Sequence, residues 1–186
     1  AWGYPQAEGD NSNTGFAVWA LFEAEQAGMQ VERPVWKRTL DYWINAQNAN
    51  GSWGYKPQLN GTGSMTSQGL FCLAAAAKVL GEDKPDQPAA NAIERASAWL
   101  ARNFSAHVNP GSRGQQGWLY YYLLAGGKAG RILEKVKFGE HDWYAEGSQV
   151  LLDAQQRDGY WKGTGHAEDD PHLATSLALL YLLQGR

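Results

Sequence analysis

Gln47-Asn48-Ala49-Asn50-Gly51-Ser52-Trp53 returns as Gln155-Gln156-Arg157-Asp158-Gly159-Tyr160-Trp161, and both stretches read Q-x-x-x-G-x-W. Ala1-Trp2-Gly3-Tyr4 matches the tail Ser52-Trp53-Gly54-Tyr55, so Trp2, Trp53 and Trp161 stand 51 and then 108 residues (twice 54) apart. Thr14, Thr66 and Thr175 follow those tryptophans by 12, 13 and 14 residues. Three positions past each threonine comes a small residue (Ala17, Gly69, Ala178), at four an apolar one (Val18, Leu70, Leu179), and at seven a leucine (Leu21, Leu73, Leu182). Offsets of three, four and seven mark one stripe of an α-helix. A stripe recurring at that period announces a repeat architecture.

Working outward, the segments between these phrases predict helices of two alternating kinds. Residues 35–48, 88–104 and 142–156 are amphipathic. The first follows Pro34, which suits a first helical position, and lines up Trp36, Leu40, Trp43 and Gln47 against Lys37, Arg38 and Asp41. Each such helix is expected to have a solvated back. Residues 13–27, 65–80 and 171–183 carry almost no charge, and the last of them has Asp170 placed to cap its start. Helices apolar all round belong inside. A worn middle unit replaces the phrase with Asn109-Pro110-Gly111-Ser112-Arg113-Gly114 and starts its helix at Gly117-Trp118. The expectation is four inner and three outer helices in alternation, no strand, and surface connections at 54–63, 81–87 and 108–116.

Composition narrows the function classes. A chain of 186 residues is one ordinary domain with room for a real core. A net charge of −3 with interspersed signs gives no footprint for nucleic acid. No apolar run is long enough for a spanning helix. The single cysteine, Cys72, lies in an apolar stretch and is expected to pack as a small apolar side chain.

The phrases at Gln47, Gly51, Trp53 and Gln155, Gly159, Trp161, with an enclosed helix after each, resemble the squalene cyclase and protein prenyltransferase superfamily. Its QW repeats build an α/α toroid. The resemblance covers essentially the whole chain and implies an all-α, partial toroid of about seven helices over residues 1–186. It also implies that the chain is the C-terminal part of a longer toroid, or that it covers its flanks with another subunit. The motif reads first as a structural staple: glycine permits the turn, tryptophan anchors it, and glutamine bonds orphan backbone groups at a helix end.

Two segments are candidates for chemistry. Class II cyclases of the family protonate their substrate with the central acid of an Asp-x-Asp-Asp segment. Asp10-Asn11-Ser12-Asn13 lies at the equivalent helix start, but serine stands where that acid belongs. These four residues are read as helix caps or as polar contacts to a ligand. In Ala167-Glu168-Asp169-Asp170 the acids survive, so Asp169, with Asp170, is the candidate general acid. The alternative is an acidic first turn that complements the helix dipole. His166, Glu168 and His172 add polar ligand contacts. Their spacing is not that of an ordered metal site, and the Asp-x-Cys zinc step of prenyltransferases and the thioester signature of complement-type toroids are both missing. Trp118, Tyr120, Tyr121 and Tyr122 are either core or the aromatic wall of a cavity.

The expected function is therefore a non-catalytic binding or assembly module with an apolar, aromatic-lined concave surface. It would take an isoprenoid, another apolar ligand or a glycan, and needs no cofactor or metal. The alternative is a terpenoid cyclase-like enzyme working through Asp169.

Overall fold

The computed structural model describes residues 1–81, 86–112 and 117–185, with the side chain of His166 outside the description. It is all-α. The helices are α1 (Asn11–Gln26), α2 (Arg33–Asn45), α3 (Gly63–Leu80), α4 (Gln87–Asn103), α5 (Leu119–Ile132), α6 (Trp143–Ala154) and α7 (Pro171–Leu182), with a 3-10 turn at His166–Asp169. The one departure in type is a minimal antiparallel pair, β1 (Lys137–Phe138) and β2 (His141–Asp142), where no strand was expected. Two residues per strand carry no alternating pattern for a sequence to display.

Helix starts follow their caps. Asp10 accepts from the Asn13 N–H at 2.7 Å, so α1 begins two residues before its expected start. Thr62 accepts from the Met65 N–H and moves the start of α3 back likewise. At the other ends, α2 stops at Asn45 and α6 at Ala154, so Gln47 and Gln155 stand beyond their helices rather than on a helical face.

The odd-numbered helices touch in sequence, α1 on α3, α3 on α5 and α5 on α7, while α2 and α4 also pack on α3 and α6 on α5 and α7. Almost every side chain of α3 and α5 is buried. Amphipathic α2 and α4 bury Trp36, Leu40, Trp43 and Ala92, Ala96, Leu100 and leave their charged faces in water.

Enclosure of all four apolar helices does not hold. α1 leaves Phe16 and Ala20 exposed, and α7 leaves Ser176 and Leu179 exposed, with Leu183 just past its end. The reason is position: each stands at one end of the row and packs chiefly on one neighbour, α3 or α5. Charge-free sequence cannot distinguish a helix covered on all sides from one at an edge. No helix among the described residues is long and apolar enough to cross a membrane.

Candidate functional site

The repeated phrases build the corners that position everything else. At both corners the indole Nε1–H donates to the backbone carbonyl ten residues back: Trp53 to Trp43 at 2.9 Å, Trp161 to Leu151 at 2.7 Å. The Trp53 and Trp161 amides donate to Thr66 Oγ1 and Thr175 Oγ1 at 3.2 and 3.0 Å. The glutamines donate to the carbonyls of Gly51 and Gly159 at 3.0 and 2.9 Å. Trp2 repeats the amide bond, to Thr14 Oγ1 at 2.9 Å. The small residue three past the threonine has a reason too. At Gly69 a Cβ would stand 2.7 Å from the Trp53 indole, so that position leaves no room for any side chain once the anchor is seated.

With the corners fixed, the odd helices begin near one another, and the first turns of α1, α3 and α5 are each closed by a later segment. The Asn11 N–H donates to the Tyr55 carbonyl at 2.9 Å, and Asn11 Nδ2 to the Gly54 carbonyl at 2.8 Å. Gly63 N–H donates to the Pro110 carbonyl at 2.7 Å and Ser64 N–H to Asn109 Oδ1 at 2.9 Å. Tyr120 and Tyr121 N–H donate to the Glu168 carboxylate at 3.3 and 2.8 Å. Glu168 is fully buried there, its carboxyl at the N-terminal, positive end of α5.

A cavity of about 480 Å³ opens where these helix starts converge. Its aromatic wall is Tyr4, Phe16, Tyr55, Trp118 and Tyr121. Phe16 stacks on Tyr121 with centroids 5.5 Å apart and planes at 15°, and Trp118 meets Tyr121 edge-on at 6.2 Å. Met65, Leu173 and Leu177 extend the apolar surface. Among the described residues the polar lining is neutral: Ser12, Asn13, Thr62, Ser64, Asn109 and Ser112. Ser12 Oγ and Tyr121 OH are 3.3 Å apart. Burial raises the Tyr121 phenol, against the Ser12 hydrogen bond that lowers it. Tyr55 is pushed up to about 12, first by lost solvation and then by its hydrogen bond with Asp10. Both phenols therefore remain neutral donors at ordinary pH.

Of the expected site residues, the structure brings Ser12, Asn13, Trp118 and Tyr121 to this cavity. Most of the others do structural jobs. Asp10 caps α1, and Asn11 is locked between Gly54 and the Tyr42 hydroxyl. Tyr120 OH donates to the Lys162 carbonyl at 3.3 Å, and Tyr122 is buried against Phe104. Glu168 caps α5 as described. Asp170 caps α7 through the His172 N–H at 2.8 Å and pairs with the exposed His172 ring at 3.2 Å. Those hydrogen bonds hold the Asp170 carboxyl below its ordinary range. Asp169 is exposed, and neither it nor Asp170 lines the cavity. The His166 side chain lies outside the described residues. No group of three metal-ligating side chains forms among the described residues.

Sequence reasoning missed Tyr4, Tyr55 and Phe16 as cavity residues, although the first two sit two positions after Trp2 and Trp53 and so carried a usable repeat signal. Comparison of the chain with protein-family models, curated proteins and solved structures gave no match.

Proposed function

We propose that this chain is a binding module of the squalene cyclase and prenyltransferase repeat type, its helices forming part of an α/α toroid. In this reading the cavity at the helix starts holds a neutral, largely apolar ligand with a hydroxyl end, such as an isoprenoid alcohol. The observation that carries the proposal is the lining. Among the described residues, five aromatic rings and six neutral polar side chains face the space, and no carboxylate or cation lines it. Such a wall favours an apolar body by area burial and can orient one hydroxyl, while a diphosphate would be left uncompensated. The paired tryptophan corners and the contiguous row of odd helices support the toroid. Asp169 and Asp170, which lie off the cavity, supply no proton to a bound ligand, so binding without chemistry is the reading that the geometry supports.

Isothermal titration with farnesol tests it. Saturable binding is expected, weakened roughly threefold to tenfold in Tyr121→Phe, which deletes one hydrogen-bonding hydroxyl and keeps the ring. Squalene incubated with the protein should be recovered unchanged by mass spectrometry. Binding of a neutral oligosaccharide instead of farnesol would move the ligand class to glycans, and cyclised squalene lost in Asp169→Asn would overturn the module.

A further inference from the structure

At the opposite end of the same helices lies a second cavity of about 370 Å³ with a different chemistry. Lys128, in the middle of an otherwise apolar stretch of α5, is 5 % exposed and lines it. Its Nζ sits 3.7 Å from the ring centroid of Trp19 and 4.5 Å from that of Phe71. Among the described residues it has no ion-pair partner. The nearest acid that faces it, Glu23, is held by the Trp19 indole Nε1–H at 2.8 Å. Lys78 and Arg131 line the same space, and both are exposed.

We propose that Lys128 is a nucleophilic amine that condenses with a small carbonyl compound bearing an anionic group, bound in this cavity. The Nζ lone pair adds to the carbonyl carbon, the carbinolamine loses one water, and an imine remains. Lys78 and Arg131 supply the charge that attracts the anionic end. The Trp19 and Phe71 rings shield Nζ from water, while their faces favour its charged form and so oppose part of the effect of burial. A lysine so enclosed is activated by desolvation. Burial pushes its ammonium down to about 7, against the opposing pull of Cys72 and Glu23. Cys72 is itself buried and its thiol raised, so no thiolate restores the lysine's charge. Of the elements bordering the cavity, α1 contributes Glu23, α3 Lys78, α5 Arg131 beside Lys128 itself, and the segment after α7 the neutral Gln184.

Glyoxylate with cyanoborohydride is the test. Hydride and a proton reduce the imine, leaving one carboxymethyl group on the amine, located by peptide mapping. At pH 7 the neutral fraction of Lys128 is roughly a thousandfold that of an ordinary lysine. Its lower basicity takes back part of this, so Lys128 should be labelled at least about ten times faster than Lys37 or Lys56. The rate should inflect near pH 7 and vanish at this position in Lys128→Arg. Propionaldehyde, which lacks the charge, should react more slowly. Labelling spread over exposed lysines with Lys128 untouched in the wild-type map overturns the proposal, whether or not the variant folds. Equal rates for the two aldehydes overturn its anionic half.

Discussion

The Trp53 and Trp161 corners share their hydrogen bonds almost atom for atom, yet they stand in different company. Behind the first lies α4: Gln47 Nε2 reaches past its own turn to the Ala92 carbonyl at 2.9 Å, and Arg95 donates to Gln47 Oε1. A Cβ on Gly51 would stand 2.5 Å from the Arg95 carbonyl oxygen. Behind the second, among the described residues, a Cβ on Gly159 would meet nothing within 4 Å, and the bond of Gln155 stays within its turn. The motif thus encodes a local corner, and what each residue contributes is set by whether another helix packs against it.

Truncating the anchors gives the largest effect. Trp53→Ala should cost about 3–5 kcal/mol, because the indole is fully buried, meets Trp43 edge-on at 5.8 Å and leaves a cavity against Gly69. Trp161→Ala should fall at or below the low end of that range. Urea denaturation with an unchanged m-value measures both. A larger loss at Trp161 would break the idea that the covering helix sets the cost.

The glycines sharpen the same contrast. Both sit in the left-handed region, Gly51 at φ 90° and Gly159 at φ 85°. Alanine pays about 1–2 kcal/mol of backbone strain at either position. At Gly51 the clash with backbone of α4 adds about 1–3 kcal/mol more, since the helix backbone cannot yield cheaply. Gly159→Ala should therefore stop near the first figure, and equal midpoint shifts for the two variants would contradict the close approach.

Glutamine comes next. Gln47→Ala removes the bond to the Ala92 carbonyl that ties two elements together, for a loss of about 1–2 kcal/mol. Gln155→Ala, whose bond is local and exposed, should lose about 0.5 kcal/mol or less. A double-mutant cycle of Gln47→Ala with Arg95→Ala should show coupling, because the two side chains are hydrogen-bonded.

How much of this was legible follows from range. The corners were, because glycine, tryptophan and threonine recur at fixed offsets and each bond spans 4 to 14 residues. The order of helices was, because hydrophobic stripes are local. Glu168 as the cap of α5 was not, because it acts across 47 and 48 residues and an acid beside Asp169 and Asp170 looks like part of their turn. Lys128 was hidden in an apolar helix, where one charge is overlooked as a surface position. The edge faces of α1 and α7 were illegible because composition says that a helix is apolar and not how many neighbours it has.

The smallest effect separates the helices that follow the two corners. α3 is capped by the Thr62 hydroxyl, which accepts the Met65 N–H at 3.2 Å and does not titrate. α7 is capped by the Asp170 carboxylate, whose folded-state affinity for protons is lowered by the His172 N–H and ring. A carboxyl depressed in the folded state contributes stability above its unfolded pKa and loses it as pH falls through the folded value. The first turn of α7 should therefore fray in acid, below the ordinary aspartate range, while that of α3 does not. Amide exchange at His172 and Met65, compared after correction for intrinsic rates, reads this directly. Asp170→Asn keeps an oxygen acceptor and removes the titration, so it should abolish the acid sensitivity at His172 and leave Met65 unchanged. Parallel fraying of both helices in acid would mean that global unfolding, and not the cap, governs the start of α7.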